Sequence, residues 1–270
     1  SVTFIVSPKE ITIEITSSTT FVYDSLEKEI TYSLGNDIPE GVSVSVTGEN
    51  KGTVVGNYSA VFTITGNANY KGSKTVNWSI TKATPTYTAP TGLQATYLDK
   101  LGSVSLPEGW AWVDTNPNTT VGAAGNRTHQ ATYTPADTNN YNTVTIGLVV
   151  EVAKKEYTPT VAGTAASATY GDKLSSVTLE GEDSYGKWIW ANSNDYVGNV
   201  GLNSHEIVFD LNDKNNYFVA SASTASVTVN ALDITVTITS IGGTYNGTIT
   251  AASAQPVGFV VGFKPEVTLT

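Results

Sequence analysis

His129 and His205 are the only imidazoles in the chain, and there is no cysteine. Imidazole is the commonest metal ligand and general base near neutral pH, so these two residues bound any such chemistry. The lack of a thiol excludes a disulfide framework, a thiolate metal site, a cysteine nucleophile and a thioester. The histidines lie 76 residues apart, each following a Val-Gly pair, Val121-Gly122 and Val197-Gly198, and aligning those segments puts Tyr58 at the same place earlier in the chain. In alternating runs His129 shares a face with Ala131 and Tyr133, and His205 with Ile207 and Phe209, as Tyr58 does with Ala60 and Phe62. That pattern assigns both to an aromatic slot in separate repeats, too far apart to share a metal. No strained serine elbow of a hydrolytic triad accompanies either one.

The tryptophan pairs are the stronger candidates for binding. Trp110 and Trp112, and again Trp188 and Trp190, stand two residues apart in strand-like runs and so point the same way. Exposed, such a pair is a flat apolar platform on which a sugar ring can stack. Against this, Pro39-Glu40-Gly41 aligns with Pro107-Glu108-Gly109, which sets Val42 and Val44 where the first pair stands and argues for an inward face.

Oxygen-rich clusters come next. Asp137–Asn142, Asp210–Asn216 and Glu180-Gly181-Glu182-Asp183 would suit calcium. Neither Asx-rich stretch keeps the spacing of an EF-hand loop, and Asn and Asp are expected in hairpin turns because they satisfy nearby backbone groups. A paired-carboxylate hydrolase would need two acids converging in a cleft at about 5–9 Å, and repeats of this size rarely leave room for one. A Lys–Asn isopeptide cross-link is disfavoured. Asn77, the one Asn in the relevant strand of the first repeat, alternates away from Val76, Trp78 and Ile80, and the second repeat has none between Thr143 and Val152.

The elements that must position these residues follow from composition and repetition. Charged residues make up 14% of the 270, against about 25% in an average soluble protein. The formal charge of −10 removes the phosphate-neutralising term that drives nucleic-acid binding and disfavours anionic membranes. The longest apolar runs, Gly147–Val152 and Val257–Phe263, are far short of the roughly 18 residues a spanning helix needs. The chain opens on Ser-Val-Thr-Phe, which suggests an excised or processed piece.

A tyrosine-centred turn recurs four times, at Tyr23-Asp24-Ser25, Tyr97-Leu98-Asp99, Tyr170-Gly171-Asp172 and Tyr245-Asn246-Gly247, with intervals of 74, 73 and 75 residues. Asn-Tyr recurs at Asn69-Tyr70, Asn140-Tyr141 and Asn216-Tyr217, at intervals of 71 and 76. Two markers keeping one period define a repeat. Within it the apolar period is two. Ile11, Ile13 and Ile15 alternate with polar neighbours, as do Val42, Val44 and Val46, then Tyr58, Ala60, Phe62 and Ile64, then Val76, Trp78 and Ile80. Six to eight short strands in about 75 residues point to a small two-sheet sandwich in preference to a barrel.

Four of these features together resemble the bacterial Ig-like repeats of the MBG/YDG type. They are Tyr170-Gly171-Asp172-Lys173-Leu174, Gly109-Trp110-Ala111-Trp112, the segment from Val121-Gly122 to Tyr133-Thr134-Pro135-Ala136-Asp137-Thr138-Asn139-Asn140-Tyr141, and Trp78-Ser79-Ile80-Thr81-Lys82-Ala83. The first repeat departs from the pattern, with Tyr-Asp-Ser at the turn and no Trp pair. The resemblance implies an all-β chain of tandem small Ig-like β-sandwich domains arranged end to end. Residues 1–8 would be the closing strand of a missing preceding repeat. Repeats 1, 2 and 3 would occupy 9–83, 84–155 and 156–231, and 232–270 would be the first half of a fourth.

The resemblance further implies a non-catalytic stalk or spacer of a bacterial cell-surface or secreted protein, extracellular, without catalytic residues, cofactor or metal. The alternative is an adhesin module that binds a glycan or host protein through Trp110, Trp112, Trp188 and Trp190 or the loops beside them. Neither reading involves nucleic acid or membrane insertion by this segment. The expected state is a monomer, with head-to-tail strand exchange between the two incomplete ends as the alternative.

Overall fold

A computed structural model of the chain describes residues 2–237 and 255–257. It is all β apart from two single 3₁₀ turns, Leu101–Ser103 and Leu174–Ser176. The chain forms two compact units, one up to Val152 and one from Ala153.

The first unit contains two four-stranded sheets. In one, the spatial order is Thr20–Val22, Ser73–Thr81, Gly56–Thr65 and Ser43–Gly48. The long strands are antiparallel, with Val76 opposite Ala60 and Trp78 opposite Tyr58, while Thr20–Val22 joins in parallel. Because side chains alternate across a strand, Ala60, Phe62, Ile64, Val76, Trp78 and Ile80 all enter one core, and all are buried. Short ladders cover that face. Lys9–Glu10 pairs with Tyr70–Lys71, Glu14–Ile15 with Tyr32–Ser33, and Lys28–Glu29 with Lys51–Gly52. Ile13 and Ile30, at 4% and 1% exposure, come from these covering segments. The second sheet runs Leu93–Thr96, Val144–Ala153, Gly125–Tyr133, Trp110–Trp112, over a core of Leu101, Val104, Val121, Val150 and Val152.

The unit from Ala153 repeats the plan in five strands, Ala168–Thr169, Ser223–Asn230, Gly201–Leu211, Gly186–Trp190 and Glu182–Asp183. Its core gathers Trp188, Trp190, Ile207, Phe209, Leu211, Ala225, Val227 and Val229. In all three sheets the strand that closes a repeat is flanked on both sides. The parallel neighbour pairs with its last residues, Ser79–Thr81 in the first sheet and Val229–Asn230 in the third, and its alternation follows from burying one face only.

The two sequence markers have structural roles. The carbonyl of each marker asparagine accepts a bond from the backbone N–H of an incoming strand: Lys9 to Asn69 at 2.8 Å, Ala83 to Asn140 at 3.0 Å, Lys155 to Asn216 at 2.8 Å. Ala83, assigned from sequence to the end of the first repeat, thus pairs with the Asn140–Asn142 segment, and its carbonyl accepts from Asn142 N–H at 2.9 Å. At the tyrosine turn, Tyr23 N–H donates to Thr81 and Tyr170 N–H to Asn230, both at 2.9 Å, which docks the opening segment on the end of the closing strand. Asp99 and Asp172 close that turn by accepting from Thr96 N–H and Thr169 N–H at 2.8 and 2.9 Å.

At the N-terminus, the run expected to be a closing strand forms no ladder, and Val2, Phe4, Ile5 and Val6 are exposed. Of the expected fourth half-repeat, Thr235–Thr237 pairs antiparallel with Gln255–Val257. Tyr245-Asn246-Gly247 and the rest of the run to Phe263 lie outside the described residues.

Candidate functional site

Trp188 and Trp190 are 7% and 8% exposed, and both belong to the core. Trp188 donates its indole N–H to the Val161 carbonyl at 2.9 Å, and Trp190 to that of Val177 at 3.0 Å. Backbone lies directly against Trp188: a Cβ at Gly181 would stand 2.9 Å from its Cδ1. Trp112 is half-buried beside the second core and donates to Val104 at 2.9 Å. Trp78, not a binding candidate from sequence, donates to Glu49 at 2.7 Å.

Trp110 differs from the other four. It is half-buried, and among the described residues its N–H has no partner. Its ring meets Tyr133 at a centroid distance of 5.4 Å and Tyr87 at 5.7 Å, and Tyr87 meets Tyr133 at 5.7 Å. The four rings that the sequence offered as a platform if exposed therefore part company, and of them only Trp110 stands in a surface cluster of aromatics. Alternation put Tyr133 on the face of His129 and Ala131 but paired it with no partner strand, and nothing in the sequence brought Tyr87 here, since Tyr87 lies in the unpaired stretch before Leu93.

The histidines take equivalent structural positions. Nε2 of His129 lies 3.1 Å from the Val121 carbonyl, and Nε2 of His205 lies 3.0 Å from that of Val197. A carbonyl only accepts, so each ring carries its proton on Nε2. Each also meets a tryptophan edge-on, Trp112 at 6.1 Å and Trp190 at 6.0 Å. The first sheet differs from the second in the hairpin that precedes this position. Val44 faces Ile64, whereas Trp112 faces Ala131, which reflects a longer hairpin in the first repeat, while the closing strand keeps Tyr58 at the histidine position: Tyr58 faces Trp78, eight residues after Tyr70, and His205 faces Ala225, eight residues after Tyr217.

The acidic clusters are spent on backbone. Asp137 accepts from Asn139 N–H, Asn140 N–H and the Asn140 side-chain amide. The Asn140 amide, foremost, holds the Asp137 carboxyl below its usual pKa. Asp213 accepts from Asn216 N–H and its amide in the same way. Asp183 accepts from Tyr185 N–H, Gly186 N–H and the Tyr157 hydroxyl. The Tyr157 bond, first among the causes, lowers the Asp183 carboxyl and raises the Tyr157 phenol. Among the described residues no three His, Asp or Glu side chains converge as a metal set.

A trough of about 670 Å³ lies over the outer face of the first sheet, floored by Asn57, Ser59, Asn77 and Ser79 and edged by Thr20 and Glu49. Asn77 is directly opposite Ser59, and Ser79 opposite Asn57. Its lining holds one carboxylate, that of Glu49, whereas glycoside hydrolysis calls for two.

No family model matches the chain, and no curated protein matches it. Solved structures resemble it at the level of fold. The Sidekick-1 immunoglobulin domains 1–5 are similar at 10% identity and a TM-score of 0.30, over 81% of this chain and 58% of that one. Drosophila N-cadherin EC1–4 is similar at 9% identity and a TM-score of 0.26, over 82% and 75%. The fibronectin(III)-like modules of Clostridium thermocellum CbhA follow at 12% identity and 0.19, over 82% and 95%. The chain thus spans under two thirds of the first of these. Likeness at this level says nothing of ligand or activity. What the sheets themselves define is an all-β protein of successive sandwich-type units.

Proposed function

We propose that this chain is a non-catalytic spacer, a run of Ig-like modules of the MBG/YDG type within a bacterial surface or secreted protein, with modules at 9–83, 84–155 and 156–231. The observation that carries this reading is the joint inside the first unit. A spacer must transmit position, so its joints have to resist bending, and a Gly/Ser linker would not. Here the closing strand runs through Thr81-Lys82-Ala83 without such a linker, and three contacts tie its two sides together. The Asn140 side chain accepts from Val55 N–H at 3.0 Å. Lys82 Nζ donates to the Thr138 carbonyl at 2.6 Å. Tyr23 and Tyr141 meet edge-to-face at 5.3 Å. Residues far apart in sequence thus meet across the joint, which supports a joint that resists bending.

The absence of cysteine makes the test direct. Nitroxide labels on Ser59→Cys and Thr128→Cys, both exposed positions, report distance across the joint by pulsed electron spin resonance. A single narrow distribution is expected, broadened by adding Asn140→Ala. A broad distribution in the labelled protein that retains Asn140 overturns the spacer reading.

A further inference from the structure

We infer that Tyr87, Trp110 and Tyr133 form a binding platform for neutral sugar rings, a site beyond the spacer role and independent of it. Two sheets carry the same pair of tryptophan positions with different cover. Trp110 faces Tyr133 and Trp112 faces Ala131, just as Trp188 faces Phe209 and Trp190 faces Ile207. The inner partners, Trp112 and Trp190, behave alike, each donating its N–H to the carbonyl of the valine that follows a 3₁₀ turn. The outer partners do not. Trp188 and Phe209 are each 7% exposed, and Trp188 is bonded to Val161. The Trp110 position lacks that cover. Residues 86–92 form no strand across it, Tyr87 is 38% exposed, and Trp110 and Tyr133 are half-buried.

The polar atoms point to the same conclusion. Four of the five indole N–H groups are bonded to backbone carbonyls, and the fifth, on Trp110, is not. Among the described residues the hydroxyls of Tyr87 and Tyr133 have no hydrogen-bond partner either. Aromatic rings with a polar tip suit a ligand that is apolar on its faces and wet at its rim. A pyranose has that character, with C–H groups on its faces and hydroxyls around its edge.

Ring spacing excludes another aromatic-lined arrangement. Centroids 5.4–5.7 Å apart are in mutual contact, so nothing fits among them as a cation fits in an aromatic cage. Ligand must lie on the outer faces. The charge of −10, with Glu108 two residues before Trp110 in the chain, disfavours uronic or sulfated sugars. The ligand class is therefore a neutral glycan.

Native gel electrophoresis through mixed-linkage β-glucan, galactomannan, dextran or arabinoxylan tests this on the whole chain. At least one polysaccharide should retard the protein, with apparent affinity falling about tenfold in Trp110→Ala and in Tyr87→Ala, the loss expected when an aromatic anchor is truncated. Tyr185→Ala, at a ring of similar exposure in the other unit, should leave retardation unchanged. Tyr87→Ala removes an exposed ring, so its near-ultraviolet dichroism should stay native even if Trp110→Ala is damaged. Retardation by none of the four overturns the platform, as does retardation that survives both substitutions. Quenching of tryptophan fluorescence by decaproline, without binding to any polysaccharide, would instead mark the cluster as a peptide site.

Discussion

Three residues at the tyrosine turn have left-handed backbone. Gly171 has φ of 96°, Leu98 has 77°, and Ser25 has 67°. Side chains other than glycine pay for this region because Cβ crowds the following carbonyl, at roughly 1–2 kcal/mol. The Tyr97-Leu98-Asp99 turn is therefore strained where Tyr170-Gly171-Asp172 is relaxed. Leu98 is 43% exposed, so removing it forfeits little burial. Leu98→Gly should stabilise the protein by about 0.5–1 kcal/mol, the strain relieved less the extra freedom glycine gives the unfolded chain. Gly171→Leu should cost about 1–2 kcal/mol on the same grounds. Urea unfolding measures both, and a neutral Gly171→Leu would refute the account. The Asp-Tyr side-chain pair of Asp183 and Tyr157 and the histidine-to-carbonyl bonds belong to the same scale. Each ties a half-buried polar side chain to a neighbouring segment.

Among the elements, the Asx turns before the Asn-Tyr marker convert carboxylate charge into strand placement. Asp137 holds Asn140, and Asn140 offers its carbonyl to Ala83 and its side chain to Val55. The folded protein favours the charged Asp137, since three N–H groups point at it, and its pKa is lowered. A group whose pKa is lowered by folding contributes stability that is complete above its unfolded value, about 3.9, and is lost as pH falls through the folded value. Melting temperature should therefore drop as pH is lowered below about 4. Asp137→Asn should melt lower at neutral pH and converge on the parent in acid. Parallel melting curves for the two proteins across that range would show that the turn carries no such linkage.

For the whole molecule, charge is unbalanced. Apart from Lys28–Asp24, the ion pairs among the described residues are exposed at both ends, among them Lys51 with Glu27 and Glu29 at 3.3 and 3.2 Å and Lys214 with Asp210 at 2.5 Å, and pairs of this kind contribute about 0–1 kcal/mol each. An excess of ten negative charges repels itself in the compact state. Salt shortens the reach of that repulsion from about 30 Å at 0.01 M to about 3 Å at 1 M. Melting temperature should accordingly rise with sodium chloride between those limits. A fall would mean that the few ion pairs outweigh the net charge.

The sequence by itself determined the fold class, the repeat and the inward face of each strand. Alternation with period two is a local property, so Ala60, Phe62 and Ile64, or Ile207, Phe209 and Leu211, declare their side of the sheet without reference to any partner. Valine at the slot of Trp110 and Trp112 argued for an inward face; both rings are half-buried, and Trp188 and Trp190 are buried in a core. The tertiary structure alone decided what covers that face. Trp188 is sealed because the chain at Val161 and Gly181 lies against it, while Trp110 is left to Tyr87 and Tyr133. Likewise, the exchange between Asn140 and Val55 spans 85 residues, and the register that sets Val44 against Ile64 but Trp112 against Ala131 depends on hairpin length. Such contacts are set by where a second segment comes to rest, and spacing along one strand carries no record of it.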